Sequence, residues 1–65
     1  MHKIQQKILE LAGNKNLGSM KLREIGQLVG EDHPQKIKHH LNQLENKGLI
    51  IIDKNKRLVE RVRHS

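Results

Sequence analysis

Residues that could contact a polyanion are concentrated between Asp32 and Arg57, in the segment DHPQKIKHHLNQLENKGLIIIDKNKR. Pro34 suits the first turn of a helix, because the N–H that proline lacks has no partner there. At about 100° per residue, the helix that follows would turn one apolar stripe inward, made of Ile37, Leu41 and Leu44. Its outward face would then be polar, with Gln35, His39 and Asn42 at the centre and Lys36 and Lys38 at the flanks.

That outward face has the chemistry of a helix that reads duplex DNA. Glutamine and asparagine can form two hydrogen bonds to an adenine edge. Lysines at the flanks can neutralise phosphates along the groove. Exposed helix faces are more often built from Glu, Lys and Arg, so a row of amides and imidazole needs a reason. We predict base contacts from this face, and the alternative is an ordinary solvated surface.

Two further groups of cations could grip phosphate without reading sequence. Lys54, Lys56 and Arg57 lie in a polar turn that follows the three isoleucines at 50–52. Lys21 and Arg23 lie near the start of an earlier helix, whose N-terminal N–H groups favour anions. We predict phosphate contacts from both groups. The alternative for the turn is a charged, solvated loop.

The composition also indicates a polyanionic partner. The 65 residues include 13 Lys and Arg against seven Asp and Glu, a net charge of +6, and residues 34–65 alone carry +5. Phe, Tyr and Trp are absent, whereas proteins that bind single strands or RNA stack bases on aromatic side chains. Duplex DNA is therefore the predicted partner. The alternative is that the excess of lysine only maintains solubility.

The sequence offers no catalytic, metal or cofactor site. It has no cysteine, hence no disulfide, thiol nucleophile or cysteine zinc site, which fits a reducing compartment. Among the five histidines, the neighbours His39 and His40 diverge by about 100° on a helix, and no two are four residues apart. We expect no enzyme activity, no metal and no cofactor. His40 is expected to pack at the edge of the core with one hydrogen bond.

The hydrophobic pattern predicts one α+β domain, mainly helical, over residues 1–65. Helices are expected at about residues 2–12, 22–29 and 33–47, and strands at about 49–53 and 57–62. No apolar run reaches the length of a membrane span, so no membrane association is expected. Three glycines are expected to end the helices: Gly13, Gly30 and Gly48.

Finer expectations concern single positions in these helices. In the first helix, Ile4, Ile8, Leu11 and Ala12 would form the apolar stripe, which leaves Leu9 outside it. Gly26 would mark a close crossing by another helix, because glycine is otherwise costly in a helix interior. If Asp32 is the N-cap of the third helix, Gln35 stands where a capping box requires it.

The order of three helices and a hairpin resembles a winged helix-turn-helix. More specifically, EIGQLVG and HPQKIKHHLNQLENKGLIII are similar to the DNA-binding domain of the LexA repressor family. The residues that carry the resemblance are Glu24–Ile25, Pro34, Ile37, His40–Leu41, Leu44 and the step from Lys47 to Ile50. The resemblance implies a transcriptional regulator that acts by repression, in the cytoplasm and on the DNA of a prokaryote or phage.

The resemblance also bears on individual residues. Gln35, Lys36, Lys38 and His39 match the positions that read bases in LexA-like domains, and Asn42 is an additional candidate. Those positions are small or acidic in the family, so the family's operator sequence is not expected to apply. The self-cleaving protease domain is not in this sequence. We expect either a free-standing module or a piece of a longer protein.

Two rival functions remain open from the sequence. A winged helix can serve as a protein-interaction module, and the isoleucine run favours this because one face of a two-stranded sheet is exposed. The domain could also regulate a DNA-processing enzyme. Two apolar side chains on the outer sheet face, from either Ile50 and Ile52 or Leu49 and Ile51, would give at most a weak homodimer.

Overall fold

A computed structural model describes residues 2–62, which form three helices followed by a two-stranded antiparallel sheet. The helices are α1 (Lys3–Asn14), α2 (Leu22–Val29) and α3 (Pro34–Asn46), and the strands are β1 (Ile50–Asp53) and β2 (Leu58–Arg61). A short 3₁₀ turn, Leu17–Ser19, connects α1 to the segment before α2. This is the winged helix-turn-helix order, with the β1–β2 hairpin as the wing.

The first helix is rotated relative to the sequence-based expectation. Its buried residues are Gln5, Ile8, Leu9 and Ala12, whereas Ile4 and Leu11 are only partly buried at the edges. The expectation that Leu9 lies outside the apolar face was therefore wrong. Residues 5, 8, 9 and 12 have helical spacing just as 4, 8, 11 and 12 do. Polarity argued against position 5, and the structure buries it nevertheless.

Gly13 does not end α1, in contrast to the prediction. The helix continues through Asn14, whose side-chain Nδ2 donates to the Glu10 carbonyl at 3.2 Å. Lys15 then turns to an extended backbone, and its N–H donates to the Leu11 carbonyl at 2.8 Å. Gly13 lacks the positive φ with which Gly30 and Gly48 follow the ends of their helices, so it does not terminate α1.

The turn between α2 and α3 requires glycine at two positions, Gly26 and Gly30. Gly30 adopts φ 81°, a left-handed conformation that favours glycine, and the Glu31 N–H returns to the Gly26 carbonyl at 2.8 Å. A Cβ at Gly26 would lie 2.3 Å from the Glu31 carbonyl oxygen, while Ile37 of α3 is 3.6 Å away. The close approach is thus made by the turn itself, and the crossing helix is only in ordinary contact.

Pro34 lies in the first turn of α3, as predicted, and is its first residue, but the capping box is not formed. His33 occupies the N-cap position without a side-chain cap hydrogen bond. The His33 N–H is instead bound by the Glu31 carboxylate at 3.1 Å. At the other end, Gly48 has φ 75°, and the Leu49 N–H donates to the Leu44 carbonyl at 3.0 Å. This closure directs the chain from α3 straight into β1.

The wing is a four-residue pairing closed by the turn 54–57. Ile52 pairs with Val59 and Asp53 with Leu58. The Asp53 side chain accepts from the backbone N–H groups of Asn55 and Lys56, at 3.1 and 3.2 Å. Arg57 completes the turn with φ 50°, a left-handed conformation that is uncommon outside glycine and asparagine.

One core holds the helices and the wing together. It comprises Ile8, Leu9, Ala12, Leu17, Ile25, Val29, Ile37, Leu41, Leu44, Ile50 and Val59. On the outer sheet face only Ile51 is largely exposed, at 56%, because Leu49 is partly buried against the core. The expectation of two apolar side chains on that face was therefore wrong. Among residues 2–62, no helix combines the length and apolarity needed to span a bilayer.

Candidate nucleic-acid interface

The outward face of α3 is accessible along the whole helix. Ile37, Leu41 and Leu44 are buried, as the 3.6-residue period predicts. Opposite them, every residue proposed to read bases is exposed: Gln35, Lys36, Lys38, His39 and Asn42. These side chains keep their hydrogen-bonding groups free to meet a ligand, because no side-chain hydrogen bond within residues 2–62 involves any of the five.

One flank of α3 is covered by α1. Gln43 lies on this flank, partly buried, and its Oε1 accepts a hydrogen bond from Gln5 of α1. His40 lies on the same flank, partly buried, with its Nδ1 3.1 Å from Gln5 Nε2. This agrees with the expected edge-of-core position and single hydrogen bond for His40.

The electrostatics of His40 follow from this position. Partial burial lowers the pKa of His40 below its ordinary value of 6.5, and the nearby His2 and His39 act in the same direction. Lys36 adds to the lowering, whereas Glu31 opposes it. The His2 and His39 rings have centroids 4.9 and 6.2 Å from that of His40. Neutral imidazole is therefore favoured next to Gln5.

The cationic wing turn is anchored to the body of the domain by Asn16. The Asn16 side chain donates to the Arg57 carbonyl at 3.0 Å and accepts from the Val59 N–H at 2.9 Å. Its amide thereby bonds to the last residue of the turn and to β2, with one donor and one acceptor. Lys54, Lys56 and Arg57 are all exposed on the turn that this contact holds.

The same anchor brings the wing close to the segment that leads into α2. A Cβ at Gly18 would lie 2.3 Å from the Arg57 carbonyl oxygen, so the two backbones are in direct contact. Lys21, three residues later, is the N-cap of α2, and its N–H donates to the Glu24 carboxylate at 3.4 Å. Lys21 and Arg23 are exposed. The contact between Gly18 and Arg57 thus joins the segment that carries Lys21 and Arg23 to the wing turn that carries the other cations.

Three of the residues that organise this surface were not identified from the sequence. Gln5 is 3% exposed and contacts α3, and Asn16 and Gly18 hold the wing. Burial of Gln5 has a signal in the spacing 5, 8, 9 and 12, which only its polarity obscured. Asn16 has no comparable signal, because its partners are 41 and 43 residues away.

The histidines in the described part of the chain do not assemble into a metal centre. Residues 2–62 contain no group of three or more His, Cys, Asp or Glu residues that could hold a metal ion. The neighbouring rings of His2, His39 and His40 therefore do not form one. The His2 and His39 rings instead help to keep His40, on the flank of α3, uncharged by lowering its pKa.

Comparison with known proteins identifies the family. The family model described as the LexA DNA binding domain matches residues 2–57, which include all three helices and the wing up to Arg57. No curated protein and no solved structure gives a significant match to the sequence. The match covers most of the 65 residues and agrees with the observed helix and hairpin order. The chain therefore belongs to the LexA DNA-binding domain family and is a winged helix-turn-helix DNA-binding domain.

Proposed function

We propose that this domain binds duplex DNA sequence-specifically as a transcriptional regulator, acting by repression, in the cytoplasm of a prokaryotic cell. In this proposal α3 lies in the major groove and the wing lies on an adjacent phosphate backbone. The observation that carries it is the exposed polar face of α3 in a chain of a DNA-binding family. A sequence-neutral binder would need only cations there.

Within the proposal, two sets of residues have separate tasks. The side chains on α3 contact base edges: Gln35, Lys36, Lys38, His39 and Asn42. The cations around the anchored turn contact phosphate: Lys21, Arg23, Lys54, Lys56 and Arg57. Support for this division comes from exposure and chemistry, since amides discriminate between base pairs and lysine on a turn does not.

The test begins with selection of a preferred site from a randomised duplex pool. Gln35→Ala and His39→Ala should then lower the preference for that site over random duplex, by roughly 1–3 kcal/mol for each good base contact. Lys54→Ala and Lys56→Ala should weaken binding to all sequences alike and flatten the dependence on salt, by about 0.9 in log–log slope for each phosphate that is no longer neutralised. Lys7→Ala is the matched charge control, because Lys7 lies in the groove between α1 and α2.

Three results would contradict the proposal. A pool that yields no enriched sequence would mean that α3 does not read bases. Equal losses on selected and random DNA for the two α3 variants would mean the same. Backbone amide shifts on adding duplex DNA locate the contact independently, and shifts confined to α1 would place DNA on another face.

The rival function, a protein-interaction module, receives less support from the structure. It rests on apolar surface at the wing, and there only Ile51 is largely exposed. Single exposed apolar side chains are ordinary on soluble domains. For the same reason, self-association of the isolated domain is proposed to be weak, with DNA half-sites or a further domain supplying tighter pairing.

A further inference from the structure

Gln5 is a buried amide in the contact between α1 and α3. It is 3% exposed, and it shares the buried face of α1 with Ile8, Leu9 and Ala12. Burying an amide without hydrogen bonds is costly, and aliphatic side chains would fill this face without that requirement. A glutamine at this position is therefore explained only if its hydrogen bonds have a structural role.

The three hydrogen bonds of Gln5 all go to α3 and its C-cap. Its Nε2 donates to Gln43 Oε1 and lies 3.1 Å from His40 Nδ1, and its Oε1 accepts from Lys47 Nζ at 3.1 Å. Positions 40, 43 and 47 are three and four residues apart, so they form one stripe along two turns of α3. Rotation of α3 about its axis, or a shift along it, would change the distances and angles of these bonds from the geometry observed.

We propose that Gln5 is a positioning residue for DNA reading: its hydrogen bonds to His40, Gln43 and Lys47 fix the rotation of α3 and thereby the direction of the base-reading side chains. This inference rests on the proposed function of α3. Gln5 itself faces the core and is not a contact residue for DNA. Its influence reaches the groove only through the helix that it holds.

Apolar packing alone leaves this rotation less well defined. The hydrophobic contacts of Ile37, Leu41 and Leu44 are non-directional, so they constrain the rotation of the helix less sharply than hydrogen bonds do. Binding groups, however, must be held within about 0.5 Å and 10–20° of their productive geometry. Hydrogen bonds depend steeply on angle. Three of them from one buried amide supply a directional constraint that the core does not.

The bonding pattern requires a neutral His40. Gln5 Nε2 has two hydrogens, one for Gln43 Oε1 and one for His40 Nδ1, so the network assigns the His40 proton to Nε2. A protonated ring would place its Nδ1–H, a donor, against the Gln5 amide NH2, which is also a donor. The charged and titratable groups around the ring are His2 at the start of α1, Glu31 in the turn before α3, and Lys36 and His39 on α3 itself.

The decisive variant is Gln5→Leu, with Gln6→Leu as the matched control because Gln6 is exposed on the same helix. Gln5→Leu should keep the fold, since His40, Gln43 and Lys47 are accessible enough for water to replace the missing bonds. It should lower the ratio of affinities for the selected site and random duplex by about tenfold or more, the equivalent of one base contact. Affinity for random duplex and its salt dependence should match those of the control. If Gln5→Leu fails to fold, Gln5→Met gives the same test with a more adaptable side chain.

A measurement without DNA keeps this inference separate from the proposed function. In the free protein, the side-chain amide protons of Gln5 should be shifted and slow to exchange with solvent, whereas those of Gln6 should not. The Gln5 signals should move as His40 is titrated. Gln5 signals equivalent to those of Gln6 would overturn the inference, as would unchanged site preference in Gln5→Leu. Protected Gln5 signals in a protein that selects no site would refute the proposed function, and with it the role of Gln5 in DNA reading, while the hydrogen bonds of Gln5 to α3 would stand.

Discussion

Replacing Gly18 by alanine should detach the wing from the 3₁₀ turn. The new Cβ would lie 2.3 Å from the Arg57 carbonyl oxygen and 2.6 Å from the Leu58 nitrogen, where ordinary contacts begin at 3.4 Å. Both neighbours are backbone atoms, so no side chain can rotate away. The two segments must therefore separate by about 1 Å or more, the difference between 2.3 Å and the 3.4 Å of an ordinary contact.

The energetic consequence follows from the bonds that this separation breaks. Asn16 holds the wing through hydrogen bonds of 3.0 and 2.9 Å to Arg57 and Val59, and both would exceed bonding distance. Each contributes about 1 kcal/mol net. With some loss of packing around Leu17, the expected destabilisation is roughly 2–3 kcal/mol, which lowers Tm by about 10–20 °C in a domain of this size.

Urea or thermal unfolding measures this directly, and Gly13→Ala is the control. A Cβ at Gly13 meets only the flexible Arg61 side chain, at 3.5 Å, and Gly13 lies within α1. Alanine there should be neutral or stabilise by up to about 1 kcal/mol. If Gly18→Ala unfolds at the same denaturant concentration as the unmodified protein, the 3₁₀ turn and the wing are not packed as described, and the anchoring role of Asn16 fails with them.

Two further predictions concern the core and pH. Leu41→Ala should lower the free energy of unfolding by roughly 2–5 kcal/mol, because the side chain is buried between α3 and the rest of the domain. The control Leu28→Ala, at a largely exposed position, should change it by less than about 0.5 kcal/mol. Equal effects of the two substitutions would mean that α3 is rotated. The lowered pKa of His40 means that the unfolded chain binds its proton more tightly, so the free energy of unfolding should fall as pH drops below about 6.5. His40→Gln should flatten that part of the stability curve and His33→Gln should not, and indistinguishable pH profiles for the two would rule out His40 as the group responsible.

Several features of the domain were determined by local sequence. Pro34 and Gly48 define α3 because one lacks the N–H that a helix start does not need and the other tolerates the left-handed φ of 75°. The inward stripe of α3 follows from helical period alone. The polar outward face follows as its complement, and this is why the candidate base-reading residues could be named in advance, although their contacts with DNA stay a prediction.

Tertiary structure decided the features in which two distant segments satisfy each other. Helical spacing on α1 allows position 4 or position 5 in the buried face, and hydrophobicity favours Ile4. The structure buries Gln5 because His40, Gln43 and Lys47, at least 35 residues away, supply its hydrogen bonds. Asn16 likewise binds the wing through a partner that is distant in sequence. Gly18 tolerates no side chain, although its φ is not positive, because the distant Arg57 backbone lies against it. A single residue carries its own propensity, but the partner that makes a buried polar group or a missing Cβ favourable exists only once the chain has folded.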